Sequence, residues 1–414
     1  MKRVVITGLG IVSAIGNDKD TVLQSLTKGE TGIGEMRYLD SVHHELPVGE
    51  VKLSNEEMKA MLDIAPSASI SRTTLMGMLA VGQAISHARL STADGKRILL
   101  VSGTTVGGMD ITEQHFHTFA QSDEDIGCMR THDCGSSTQQ IADRFGIFAD
   151  STTISTACSS AANAIMLGAR LIEAGQADMV VAGGCEALSR FHLNGFNSLM
   201  ILDHEPCRPF DSTRAGLNLG EGAAYVVLES EASARHRQMD ILAWLTGYGN
   251  ACDAYHQTAS SPQGEGAFLA MSEALRTARL SPEDIDYVNA HGTGTPDNDA
   301  AESAALQRIF GNRMPPVSST KSFTGHATSA SGSIEAVICL LAMKHHFIPK
   351  NLGWQHRMQH GITPSMGATG CRLHHVLCNS FGFGGNDSAL IFSDNSPLPT
   401  SPRRGGGEGP VRGP

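Results

Sequence analysis

Cys158 sits in STACSSAANA, where a strand pattern gives way to a helix pattern. A helix N-terminus offers unpaired N–H groups and a partial positive charge, which lower a thiol pKa and favour the thiolate. The small neighbours Ala157, Ser159, Ser160, Ala161 and Ala162 leave room for a bulky group to approach. On this segment alone, a buried structural cysteine is an equal reading. His291 lies in NAHGTGTPDND, residues 289–299, just past a strand end in a Gly/Thr turn. Open α/β sheets hold their sites at such turns. A third segment, SSTKSFTGHATSASG at 318–332, carries Lys321 and His326, and Glu335 follows on a helix rich in Gly, Ala and Ser. The fourth, NSFGFGGND at 379–387, is a glycine-rich turn whose backbone N–H groups could serve as oxyanion donors. A thiol of this kind can split a difficult acyl transfer into two easier steps.

These residues need a frame. Short apolar runs alternate with helical patterns along the chain. Strands are expected at Val4–Gly8, Ile98–Ser102, Met179–Gly183, Tyr225–Glu229, Tyr287–Ala290 and Ala389–Ser393. Helices are expected at Thr74–Ala88, Ser159–Ala174, Ala267–Ala278, Ala300–Phe310 and Ser333–His345. The alternation predicts an α/β architecture with largely buried sheets. Internal similarity adds to this. ISTACSSAANAIMLGARLI (154–172) and SSTKSFTGHATSASGSIEAVICLL (318–341) each have a Ser-Thr lead, a reactive-looking residue and a small-residue helix. An apolar strand and a Gly-rich turn follow each, so the chain reads as a duplication. The plainer alternative is that any α/β chain repeats such units.

Composition limits the function classes. The chain has 414 residues, 41% hydrophobic and 18% charged, which is ordinary for a globular protein. Its net charge of −11 and lack of a basic stripe argue against a nucleic-acid partner. Nine cysteines without a CxxC pair fit a reducing compartment better than a disulfide framework. The pairs His115/His117, His345/His346 and His374/His375 lack the further ligands of a zinc site, so no metal is expected. The start, VVITGLGIV, reads as a buried strand and not as a signal peptide, because Thr7, Gly8 and Gly10 interrupt it. The longest apolar run, VICLLAM at 337–343, is far short of the ~20 residues that cross a bilayer, so no membrane partner is expected and the cytoplasm is the expected location. The tail at 396–414, rich in Pro, Gly and Arg, is expected to be disordered.

The four motifs, in this order and together with RPFDSTRAGLNLGEGAAYVVLE at 208–229, resemble the condensing-enzyme (thiolase-fold) superfamily. Within it they resemble the elongating β-ketoacyl-acyl-carrier-protein synthases, over roughly residues 1–395. The resemblance implies a five-layered αβαβα sandwich made of two similar halves, 1–235 and 236–395. It implies that Cys158 carries an acyl chain and that His291 and His326 hold a malonyl thioester while CO₂ leaves. In those roles neutral histidines would steady the enolate by donating hydrogen bonds in a dry site. Two imidazoles near one carbonyl should resist protonation, so both can stay neutral near pH 7. Lys321 and Glu335 would support the histidines, although Lys321 could instead merely neutralise Glu335. The backbone N–H groups of Cys158 and Phe383 would form the oxyanion hole, with Phe383 also acting as a gate. Thr293 and Thr295 would touch a phosphopantetheine arm, and Val106, Phe196, Phe381 and Phe383 would line the acyl pocket. No cofactor is implied beyond the arm of an acyl carrier protein, which would be the partner. A homodimer is implied, or a heterodimer with a chain-length-factor-like subunit.

Relatives are separated by single residues. CoA-primed initiating synthases pair Cys with His and Asn, and His326 in GHA speaks against that branch. Degradative thiolases use a second Cys in the late turn, which here is FGFGGND. Chain-length factors lack the nucleophilic Cys that stands here at 158. A plain carrier-binding scaffold would need neither Cys nor paired His. Three departures from the usual pattern, Asn298-Asp299, Asn386-Asp387 and Met200, spare the proposed catalytic groups. They suit a specialised pathway, such as an aryl-polyene or other type II polyketide system, better than housekeeping fatty-acid synthesis.

Overall fold

The computed structural model describes residues 2–91, 95–118 and 129–394. The tail at 396–414 lies outside the described residues. The strands are β1 (Val4–Ser13), β2 (Ile98–Gly103), β3 (Asp150–Ile154), β4 (Met179–Glu186), β5 (Gly222–Ser230), β6 (Ala243–Cys252), β7 (Tyr287–Asn289), β8 (Val317–Ser318), β9 (Phe347–Ile348), β10 (Ala368–Thr369), β11 (His375–Gly382) and β12 (Asn386–Ser393). All but β9 and β10 join one ten-stranded sheet in the order β3-β2-β4-β5-β1-β6-β12-β11-β7-β8. The middle of this sheet is a narrow seam, where β1 meets β6 only at Val5–Trp244 and Ile6–Ala243.

Outward from the seam, one side reads β1-β5-β4-β2-β3 and the other β6-β12-β11-β7-β8. Directions match as well: antiparallel, antiparallel, parallel, parallel on each side. The sheet therefore consists of two similar halves. Side-chain alternation divides the interior into three cores. Val180 and Val226 face a central core, while their neighbours Val181 and Val227 face an outer one. In the second half Leu390 and Phe392 face the central core, and Ile391 faces a third. Helices Arg72–His87 and Cys134–Phe145 cover the first outer face, and Glu265–Ala278 and Pro296–Phe310 cover the other. Helices Ser160–Glu173 and Ser331–His345 fill the space between the halves. The result is five layers, α, β, α, β, α.

The central helices explain their own sequences. Every residue from Ser331 to Met343 is buried, so that helix has no polar face to keep. Gly332 lets the two helices touch, since a Cβ there would stand 2.9 Å from the Ala162 backbone nitrogen. Each helix also follows a non-glycine residue in the left-handed region: Ala157 at φ +52° lies three residues before Ser160, and Thr328 at +42° three before Ser331. Such conformations cost about 1–3 kcal/mol and persist only where the surroundings enforce them. They turn Cys158, and the loop carrying His326, toward the same place.

Candidate active site

Cys158, His291 and His326 are all buried and line one cavity of about 260 Å³. The chain delivers them from separate elements. Cys158 stands between β3 and its helix, His291 just beyond β7, and His326 between the short helix Lys321–Thr324 and the central helix. His326 Nε2 lies 3.0 Å from Cys158 Sγ. The imidazole rings of His291 and His326 meet edge to face, with centroids 5.2 Å apart. Thr293, Thr295, Phe196, Phe381 and Phe383 line the same cavity. Phe196 and Phe383 stack at 5.8 Å, and Thr293 Oγ1 lies 2.9 Å from Thr295 Oγ1. Val106 does not line this cavity. Its loop is drawn to the end of β4, where Glu186 accepts hydrogen bonds from Thr104 Oγ1 (2.8 Å) and the Thr105 backbone N–H (2.8 Å).

Lys321 and Glu335 stand behind His291, outside the cavity. Lys321 Nζ lies 3.2 Å from His291 Nδ1, donates to the His291 carbonyl at 2.6 Å, and pairs with Glu335 Oε1. An ammonium only donates, so His291 Nδ1 accepts and its single proton sits on Nε2, facing the cavity. Lys321 thus does both things the sequence left open: it orients a histidine and it pairs with Glu335. Burial still pushes the Glu335 carboxyl up to about 7, because desolvation outweighs the attraction of Lys321.

The electrostatics correct one expectation. The Cys158 thiol is not lowered. Burial pushes it up to about 11, against smaller downward pulls from Lys321 and the Phe383 backbone N–H. The physical reason is position: the helix starts at Ser160, beyond the cysteine, and the thiol is enclosed. Both histidines are held well below their ordinary value, chiefly by burial and next by the Lys321 charge, with His326 a third cause for His291. Both rings are therefore neutral near pH 7, mainly through burial and next through the Lys321 charge. A protonated thiol beside a neutral imidazole at 3.0 Å can hand over its proton as it attacks.

Sequence reasoning missed several residues here. Glu302 accepts from the His291 N–H at 2.9 Å, the Gly292 N–H at 2.7 Å and Asn379 Nδ2 at 3.1 Å, and so fixes the HGTGT turn. Burial pushes its carboxyl up to about 7. The signal was an acidic side chain on the inner face of the helix that follows the motif, between buried Ala301 and Ala305. Asp387 also lines the cavity, pushed up to about 8 by burial and by Asp253. Ser331, read only as one small residue in a run, places Oγ 2.9 Å from His326 Nδ1. Among the described residues, no group of three or more His, Cys, Asp or Glu is arranged to hold a metal ion. Likewise, no helix among them is long and apolar enough to cross a membrane.

Family comparisons agree with this geometry. Residues 1–234 match the β-ketoacyl synthase N-terminal domain, and residues 242–355 match the C-terminal domain. The chain belongs to the β-ketoacyl synthase family. It is 33% identical to 3-oxoacyl-[acyl-carrier-protein] synthase 2 of Staphylococcus aureus (strain N315), over 94% of this chain and 98% of that one. Among solved structures, the ishigamide ketosynthase/chain length factor superposes with a TM-score of 0.89 at 29% identity, covering 95% of this chain and 100% of the other. The ketosynthase ApeO of Xenorhabdus doucetiae, solved with its chain length factor ApeC, gives 0.81 at 32% identity, with 95% and 98% covered. The sandwich of two similar halves is thus the thiolase-like fold of these ketosynthases, and the chemistry of this β-ketoacyl synthase is acyl transfer with carbon–carbon bond formation.

Proposed function

We propose that Cys158 is the acyl acceptor of this synthase and that His291 and His326 divide the proton and carbonyl work between them. The observation that carries this reading is the 3.0 Å approach of His326 Nε2 to the Cys158 thiol. In the first half-reaction the thiol proton passes to His326. Sulfur then bonds to the acyl carbon of a carrier-bound thioester, and the bond to the arm's sulfur breaks, the arm leaving as a thiol. In the second half, malonyl thioester enters. Its carboxylate leaves as CO₂, and the electron pair forms an enolate whose oxygen the two imidazole N–H groups hold. The enolate carbon attacks the Cys158 thioester. The C–S bond breaks and the cysteine thiolate takes up one proton, supplied by solvent, leaving a chain longer by two carbons. The Cys158 and Phe383 N–H groups serve the acyl oxyanion, and Phe383, stacked on Phe196, gates the acyl channel. Thr293 and Thr295 meet the pantetheine arm of an acyl carrier protein. Lys321 and Glu335 hold His291, and no metal or other cofactor takes part.

A heterodimer with a chain-length-factor-like subunit, in a polyene or polyketide pathway, is the second reading. It is favoured by the two solved ketosynthase/chain length factor pairs to which the chain is similar. Co-expression with candidate partner subunits, read by size-exclusion mass, tests it. A stable homodimer that extends ordinary saturated acyl-carrier primers, but no polyenoyl or aryl primer, would defeat it.

A further inference from the structure

We propose that Ser331 is a positioning residue whose hydroxyl lets His326 serve the two half-reactions in opposite hydrogen-bonding roles. The inference rests on the reading of Cys158 and His326 given above. His326 Nε2 faces Cys158 Sγ at 3.0 Å, and Nδ1 faces Ser331 Oγ at 2.9 Å. In the resting site a protonated thiol needs an acceptor, so Nε2 is bare and Nδ1 carries the proton, donated to Ser331 Oγ. During carbon–carbon bond formation the same Nε2 must donate to the enolate oxygen, so Nδ1 must become an acceptor. A neutral imidazole has one donor and one acceptor, and reversing them requires a partner at Nδ1 able to reverse as well. A hydroxyl does this by rotating, whereas a backbone carbonyl or N–H could satisfy only one state.

His291 has no such freedom, because the Lys321 ammonium at 3.2 Å fixes its Nδ1 as an acceptor. One histidine is locked as a donor and the other is left reversible. The proton count closes. Acyl transfer puts the thiol proton on His326 Nε2, so the ring carries two. The one on Nδ1 leaves through the Ser331 hydroxyl, which accepts it and passes its own on to solvent, while solvent protonates the departing arm's thiolate. When the retained proton sits on Nε2, Ser331 turns and donates to Nδ1. Ser331 is almost fully buried, in the first turn of a helix packed on both halves, so water cannot readily take its place.

The test uses Ser331→Ala and Ser331→Thr in the full chain. Three readouts need no knowledge of the natural primer: iodoacetamide alkylation mapped to Cys158, CO₂ release from malonyl-pantetheine by the alkylated enzyme, and the ¹⁵N shifts of His326 before and after alkylation. Ser331→Ala is expected to slow both rates about tenfold or more, with Ser331→Thr recovering most of each. In wild type the His326 proton is expected to move from Nδ1 to Nε2 once Cys158 is alkylated, and in Ser331→Ala this exchange is lost. Rates within twofold of wild type, or one unchanging tautomer in wild type, would overturn the proposal. So would a loss that tracks a lower unfolding midpoint and is not relieved by threonine. A wild type that releases no CO₂ and whose Cys158 is inert would instead sink the reading of the site itself.

Discussion

Lys321 Nζ stands 3.2 Å from His291 Nδ1 and also pairs with Glu335, so one buried ammonium fixes a tautomer and balances a carboxylate. Lys321→Met should release the tautomer and remove the charge. Malonyl decarboxylation is expected to fall about 10²-fold, as when a preorganised donor is lost, while acylation of Cys158 changes much less. Breaking a buried pair usually costs about 3–5 kcal/mol, and the loss here should lie at the low end. Glu335 is already pushed up to about 7 and can protonate when its partner goes. Denaturant midpoints and CO₂ release check the two parts separately.

The three hydrogen bonds that Glu302 accepts hold the HGTGT turn from behind. Glu302→Ala strands three buried donors, each worth about 1 kcal/mol or more. A loss near 3 kcal/mol is expected in urea unfolding, together with a lower kcat from a displaced His291. Glu302→Gln keeps one acceptor oxygen but sets an NH₂ against an N–H donor, so it should recover only part of the stability.

The Cys158 thiol at about 11 makes its reactivity depend on His326. Iodoacetamide should alkylate Cys158 readily at pH 7.5 in wild type. In His326→Ala the rate should fall about 10²-fold and climb again only at strongly alkaline pH. A flat profile identical in both proteins would remove His326 from the proton path.

Stability against acid follows from the buried neutral histidines. Their folded pKa values lie well below the ordinary value, so below about pH 6.5 the unfolded chain binds more protons than the native one. The stability they contribute is present above that pH and lost as pH falls through it. Each histidine adds up to about 1.4 kcal/mol per pH unit to this slope. Glu302 and Glu335, raised to about 7, act in the opposite sense, losing their contribution as pH rises from the ordinary carboxylate range toward 7. The clean measurement is therefore a difference. Between pH 6.5 and 5.5, His326→Gln should show a shallower loss of urea midpoint than wild type, by roughly one histidine's share.

The sequence was most legible where chemistry is concentrated in short motifs. Cys158, His291 and His326 lie far apart in the chain, yet each motif contains the turn that aims its side chain. Regular elements with strong apolar patterns, such as β4 and the helix Ser331–His345, were legible for the same reason. β3 was read only as the strand pattern ahead of Cys158, without bounds, since Asp150–Ile154 is polar, partly exposed and at the sheet edge. β8 spans only Val317–Ser318, too short for a period to register. The thiol shift was misjudged because a helix dipole can be read from a pattern, whereas enclosure is a property of the assembled layers. Ser331 acts through an atom brought near by folding and nothing in its local sequence marks it, whereas Glu302 was marked only by an acidic side chain on the buried face of its helix.

The central claim is that Cys158 carries the acyl chain while the histidine pair drives decarboxylation. Single-turnover condensation tests it most directly: purified protein, malonyl-carrier and a panel of acyl-carrier primers, with intact mass and CO₂ followed in wild type and Cys158→Ala. Wild type should gain the acyl mass on the peptide bearing Cys158, release CO₂ and yield a primer longer by two carbons. Cys158→Ala should take up no acyl group. Acylation at another residue, or full condensation by Cys158→Ala, would contradict the account.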